Sequence, residues 1–479
     1  MPFTRLIATA VMTISLVGAG VARGDAPWSE PVTIAPGDYA FWQPALAFTN
    51  DGHALAILNG SGAIGPGDIW PGPTRVLAAD PGASTFAEIG RTVLVAGPAV
   101  YGRRGAAYLR TPPPTSARAK FRRLGASLGR VPSSLGRFQE LARVDVSRSG
   151  AISARIAADP RGNVAAVWLE PRPRQRASAD PPRLLVRAAV RRPGHAFGRA
   201  ATLGEAIEYS EGGNLLDTAY GANGDLVVTF QRTRSKAVSQ RTLELAVRVK
   251  RHGRAFGAIQ SLGPSLGSSS IATAVTPTGA AVVAWGTQDG GEGVEEPWIV
   301  RAALLRSRAR RFSTTQLLDR GLTARPVGPV SAAIGRDGTA TVAWSGMAAA
   351  NRELTYPVRV ATALPAGRFS APTRLASNGA ARGVVTARDG ATTVLWGLLT
   401  DPEGEVVDRI LASRRPAGAG QFAAPEQVSQ DETAVNNAAI ALNPQSDRPT
   451  ALWIGAPGSP PGQPLDGASL EPRYSTRGA

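Results

Sequence analysis

The feature that most constrains this chain is a repeat. Gly338 to Trp344 is a turn glycine followed by an alternating strand that ends in an aromatic, and the same pattern returns at Gly162 to Trp168, Gly224 to Phe230, Gly279 to Trp285 and Gly390 to Trp396. Asp447 to Trp453, Gly102 to Tyr108 and Gly52 to Leu58 are looser copies. The anchors at 58, 108, 168, 230, 285, 344, 396 and 453 stand 50 to 62 residues apart, which is the signature of a repeat architecture.

A second motif interleaves with the first. Trp28 to Ile34, Phe369 to Leu375 and Phe422 to Val428 share an aromatic start, a proline and an aliphatic end. Phe138 to Val144, Phe197 to Leu203, Phe256 to Leu262 and Phe312 to Leu318 keep the aromatic-to-aliphatic offset, and Phe86 with Val93 is longer by one. Each unit therefore reads in one order. A strand of small and β-branched residues, such as Ile271 to Ala274, is followed by a tight turn and the anchor strand; a third strand carries a basic residue, and the aromatic-led strand closes the unit. Period-two alternation between closely spaced turns argues for antiparallel meanders, and helical periodicity is absent.

Four-stranded meanders repeated radially make an all-β propeller, because each sheet then buries both faces and the ring protects most edges. Eight blades are expected. The segment from Gly102 to Gly136 is irregular, so seven is the fallback. The chain begins with an unpartnered fourth strand, Trp28 to Ile34, and ends with an unpartnered third strand, Pro472 to Ser475. Pairing of the two would close the ring from both ends.

The Asp337-Gly338 and Asp389-Gly390 turns, each followed by an apolar strand ending in an aromatic, resemble the repeats of TolB-like and related propellers. The resemblance implies a propeller over the whole mature chain and nothing finer. Sialidase Asp boxes place the aromatic about three residues after the glycine, and here it lies six after, so that motif does not support a sialidase.

Arg5, an apolar run from Leu6 to Val17 and the small residues up to Gly24 read as a secretory signal peptide over residues 1–24, too short for an anchor. Residues 25–479 then form one propeller domain of a secreted, extracellular, monomeric protein with no membrane span. There is no cysteine, which excludes disulfides and thiolate metal sites. The formal charge of +17 would ordinarily point to a polyanion. Lysine occurs only at 120, 236 and 250, amid abundant arginine, alanine and glycine, so the charge is read as compositional background and nucleic acid is disfavoured.

Arg187, Arg248, Arg301, Arg359 and Arg409 recur on the third strand, with Arg75, Lys120 and Arg473 in weaker units. A residue repeated in every blade cannot mark one active site, and the expectation is a structural cation–π contact with the anchor. The three histidines, His53, His195 and His252, sit in turns and are expected to be solvated. No metalloprotease, nucleophile-elbow or phosphate-loop motif is present, which excludes catalytic residues assigned by motif.

The fourth-to-first and second-to-third connections vary, and in this strand order they leave from the same end of the ring. They collect carboxylates and aromatics: Trp42, Gln43, Glu208, Tyr209, Asn214, Asp289, Glu292, Asp431 and Glu432 are the candidate ligand-binding residues. Such groups on a rigid scaffold suit sugars, cationic groups or Ca²⁺. The sequence reading is a secreted binding protein for a glycan, polymer or protein. The alternative is an extracellular glycan hydrolase or lyase using paired carboxylates from the same loops.

Overall fold

The computed structural model describes residues 28–34, 44–63, 69–83, 85–101, 104–111, 122–130, 139–151, 153–172, 183–207, 216–233, 243–265, 270–288, 298–322, 329–350, 353–365, 367–399, 407–429, 435–455 and 471–477. These residues form strands and turns only, and none of them belongs to a helix long and apolar enough to cross a membrane.

Every strand pairing is antiparallel, and eight four-stranded units follow one another. Blade 1 runs through Ala45–Phe48, Ala54–Ala63 and Ile69–Ala79 into the first half of Ala87–Tyr101; blade 2 takes the second half, then Gly105–Thr111, Arg122–Arg130 and Gln139–Ala151. Tyr108 thus lies in a propeller strand, and the eighth blade stands. The run Thr92-Val93-Leu94-Val95-Ala96 carries β-branched residues and no turn chemistry. The chain therefore passes from one blade to the next as a single strand, and the two blades form one seven-stranded sheet. The innermost strands of blades 3 to 7 are Ser153–Ala158, Leu216–Tyr220, Ile271–Val275, Ser331–Ile334 and Ala380–Thr386. In blade 6 the second-to-third connection holds an additional two-stranded ribbon, Ala348–Ala350 with Glu353–Thr355.

Blade 8 is assembled from both ends of the chain. Its strand order is Val435–Asn443, Arg448–Gly455, Glu471–Thr476 and then Val32–Thr33, with Val32 opposite Tyr474 and Thr33 opposite Arg473. Trp28 bridges Arg477, Ser29 N donates to Thr476 O at 2.9 Å, and Ser475 Oγ donates to Ser29 O at 2.7 Å.

Packing explains the sequence pattern. Trp168, Trp285, Trp344, Trp396, Trp453 and Phe230 are at most 1% exposed, because each anchor strand is covered on both faces by neighbouring blades. An apolar cluster fills each junction between successive blades. At the junction of blades 8 and 1, Leu452 and Ile454 meet Ala56, Leu58 and Leu77, with Ile34 of the N-terminal strand among them. The turn glycines hold φ between 87° and 93° at Gly52, Gly162, Gly224, Gly279, Gly338 and Gly390, where a side chain would be strained. Blade 8 uses Asp447 at φ 58°, in the left-handed basin that aspartate tolerates.

In blades 3 and 6 the recurrent arginine plays a different structural part from the one expected. It does face the anchor at Trp168–Arg187, Trp285–Arg301, Trp344–Arg359 and Trp453–Arg473, but Arg248 lies opposite Val228 and Arg409 opposite Leu398. Arg248 stands over Phe256 and Arg415 over Phe422 in cation–π contacts whose rings are not anchors. In blades 3 and 6 a carboxylate bridges arginine and indole. Glu170 accepts from Trp168 Nε1 at 2.9 Å and lies 3.1 Å from Arg187 Nε. Asp319 accepts from Trp344 Nε1 at 2.8 Å and also from Arg359. A buried indole N–H needs an acceptor, and a charged one also fixes the cation, which outweighs a ring contact at a half-exposed site.

The aromatic-led strands are clasped from the preceding blade. Gln260 donates to Phe312 O at 2.9 Å and accepts from Phe312 N at 2.8 Å. Gln316 does the same with Phe369, at 2.8 and 2.9 Å.

Candidate functional site

All nine loop residues singled out from the sequence, Trp42, Gln43, Glu208, Tyr209, Asn214, Asp289, Glu292, Asp431 and Glu432, lie outside the described residues, as does the segment 1–24. Among the described residues the candidate site is the axis of the ring. A cavity of about 300 Å³ is lined by innermost strands, among them Asp217, Thr273, Ser331, Arg382 and Ile440.

Aligning the blades on strand register shows what is unusual there. The residue paired one position before the anchor is Ala45, Ala99, Ala272, Ser331, Gly383 and Ala439 in six blades. Small residues are what a crowded axis requires. In the adjacent blades 3 and 4 the same position is Arg155 and Asp217. Both lie near the start of their strands, toward the end of the ring with the variable connections.

Burial pushes the Asp217 carboxyl up to about 6, against the opposing pull of Arg155 and of hydrogen bonds from Thr218 and Thr273. The Thr273 hydroxyl also lies 3.1 Å from Thr229 Oγ1, so it is held in place from the neighbouring strand. A second cation enters through a β-bulge. Ala381 pairs with Trp396 and Gly383 with Leu395, so Arg382 is an extra residue in the innermost strand of blade 7. A bulge re-aims a side chain that strict alternation would have sent elsewhere. Burial lowers the Arg382 guanidinium to about 10. Gly383 permits this close approach, since a Cβ there would stand 2.6 Å from Ile440 Cγ2.

The axis therefore presents two arginines, one carboxyl that titrates near mildly acidic pH, and hydroxyls. Arg382 can take an acid group in the cavity, and Asp217, Thr273 and Ser331 can take sugar-type hydroxyls. Asp217 is the one carboxylate lining the cavity among the described residues. No group of three or more histidine or acidic side chains is placed to hold a metal among the described residues, and the Ca²⁺ expectation belongs to loops outside them.

The histidines divide. His195 and His252 are exposed, whereas His53 is buried, contrary to expectation: its Nδ1 lies 2.8 Å from Asp51 and its Nε2 lies 3.3 Å from Asp80. Arg104 from blade 2 reaches Asp51 at 2.8 Å, so the cluster ties a turn to its neighbour.

Sequence reasoning missed Asp217, Arg155 and Arg382 because it sought chemistry in loops. The signal was available. Set against the other repeats, an aspartate and an arginine replace alanine in two innermost strands; Arg382, displaced by a bulge, leaves no such trace.

No protein-family model matches the chain, and no curated protein matches it in sequence. Solved structures with a similar chain path include the α-L-arabinanase of Penicillium chrysogenum (10% identity, 81% of this chain and 98% of that one, TM-score 0.42). The polysaccharide lyase Uly1 is similar at 8% identity over 94% of this chain and 99% of that one, with a TM-score of 0.47. The NanB sialidase of Streptococcus pneumoniae is similar at 11% identity over 94% of this chain and 70% of that one, with a TM-score of 0.39. The propeller assignment stands on this chain's own strand pairings.

Proposed function

We propose that the chain is an exported propeller binding protein whose ligand, an acidic glycan or another acid-bearing polymer, enters the axial cavity from the end with the variable connections. The observation that carries this reading is Asp217 and Arg382 in the lining of the axial cavity, with Arg155 in the adjacent blade at the register position of Asp217, where the other six blades place alanine, serine or glycine. Trp42, Glu208 and Tyr209, in the connections at the same end, are proposed as further contacts. Binding of uronate-containing and neutral oligosaccharides to the protein without residues 1–24 tests it by titration calorimetry. Arg382→Ala is expected to weaken a uronate ligand about tenfold or more, the loss of one charge-assisted contact. Equal affinity for neutral and acidic ligands, or no effect of Arg382→Ala, would refute it.

One observation favours a second reading, a glycan hydrolase or lyase: a carboxyl held near 6 is suited to proton transfer near neutral pH. Paired-carboxylate hydrolysis needs a partner roughly 5–9.5 Å away, which a loop residue would have to supply. New reducing ends or unsaturated products from acidic polysaccharides, absent with Asp217→Asn, would replace the binding reading.

A further inference from the structure

The opposite end of the ring carries a larger concavity that the axial reading does not use. It is a cleft of about 1020 Å³ between blades 4 and 5, formed by the short first-to-second and third-to-fourth turns. That is at the top of the range of roughly 300–1,000 Å³ usual for small-molecule sites. The turn segments 191–197, 250–256 and 306–312 hold nine arginine or lysine side chains in 21 residues and no carboxylate, against 53 in 479 for the whole chain. Charge of merely compositional origin would be spread evenly. The equivalent segments 80–86, 363–369 and 416–422 hold none, one and none.

The floor of the cleft is already satisfied. Asp225, its one carboxylate among the described residues, accepts from Arg251 and, at 2.9 Å, from His252 N; Arg251 also donates to Gly279 and Ala309 carbonyls. The rim is different. Arg254, Arg308, Arg310 and Arg311 are exposed, and among the described residues no carboxylate pairs with them.

Arg308 adds an independent observation from the backbone. The third-to-fourth turn places a glycine in the left-handed region in blades 1, 3, 4 and 7, at φ 76°, 75°, 70° and 72° for Gly82, Gly194, Gly253 and Gly418. Blade 5 keeps the turn, with Ala309 N donating to Arg306 O at 3.0 Å, but occupies the strained position with Arg308 at φ 63°. Glycine would relax the turn, so the fold gains nothing from arginine there. Strain retained at a cleft rim points to a use for the side chain.

We propose that this cleft binds a segment of an acidic polysaccharide, its sulfate or carboxylate groups taken by Arg254, Arg308, Arg310 and Arg311. Guanidinium forks match planar or tetrahedral oxyanions. Between them the walls are aliphatic, with Val249, Ala258 and Ile259, and the lining holds no aromatic platform of the kind single-stranded nucleic acid stacks on. Its concavity removes it from a flat lipid surface.

The test uses the full mature chain with a heparin-derived octasaccharide and an oligogalacturonate, beside a single-stranded oligodeoxynucleotide and phosphatidylglycerol vesicles. One or both oligosaccharides are expected to bind, more weakly at higher salt, and the double variant Arg310→Ala, Arg311→Ala to bind at least about tenfold more weakly. Arg308→Gly is expected to weaken binding about threefold or more while raising Tm, a combination that misfolding cannot produce. Arg336→Ala, an exposed arginine in a blade 6 turn, should bind as wild type. Absence of oligosaccharide binding, wild-type affinity in the double variant or in Arg308→Gly, or equal binding of oligonucleotide or vesicles through the same arginines would each overturn the proposal.

Discussion

Asp217 and Asp51 are carboxyls whose surroundings push them in opposite directions, and stability should record both. Burial holds Asp217 near 6, above its unfolded value near 4, so the cost to folding grows as the pH rises from about 4 to about 6, is complete above that and vanishes below about 4. Asp217→Asn should therefore raise stability at pH 7.5 by about 1–3 kcal/mol and leave it unchanged at pH 4, as measured by urea midpoints across that range. A variant destabilised equally at both values would show that the ion pair with Arg155 outweighs desolvation. At Asp51, burial alone would raise the carboxyl, but hydrogen bonds from Thr49, Arg104 and His53, with the charge on His53, bring it down to about 2. Its contribution is present above its unfolded value near 4 and is lost as the pH falls toward 2. Asp51→Asn should cost about 1–2 kcal/mol at pH 7 and converge with wild type in acid.

At the scale of elements, the blade junctions depend on more than apolar packing. The Gln260 and Gln316 amides each satisfy both backbone groups of an aromatic on the next blade. Gln316→Leu should cost about 1–3 kcal/mol by leaving the Phe369 N–H and C=O without their partner, and the loss should appear in the denaturation midpoint with the slope unchanged. The strands themselves were legible in the sequence, because the anchors at Trp168, Trp285, Trp344, Trp396 and Trp453 sit at a fixed distance from a turn residue that sets the register. The clasps were not legible. They join residues more than fifty positions apart, and a lone glutamine four residues after Phe256 or Phe312 has no local signature. The indole–carboxylate–arginine bridge was half legible: the cross-strand arginine could be read, but its acceptor came from the same strand at Glu170 and from the preceding blade at Asp319, which no single offset describes.

For the whole molecule, the sequence predicted eight blades and the joining of the chain's ends, since both follow from counting motifs, whereas the polarity of its two ends depended on where turns of different blades converge. The arginines of blades 4 and 5 look unremarkable along the chain and form one rim only after the ring brings 250–256 beside 306–312. The N-terminal strand follows from the same logic of convergence. Trp28 packs with Trp453, Leu399 and Val428 across the junction of blades 7 and 8, while Ile34, six residues on, packs with Leu58 and Leu77 of blade 1. One short strand therefore buries apolar groups in two junctions as well as pairing with Glu471–Thr476. Without it, blade 8 loses its outermost strand and both neighbouring interfaces open to water. Removal of residues 25–36 should thus lower Tm of the whole protein in a single transition, and Trp28→Ala alone should cost about 3–5 kcal/mol, the usual range for deleting a buried tryptophan. A truncated protein that melts at the wild-type temperature would show that the ring holds without this strand.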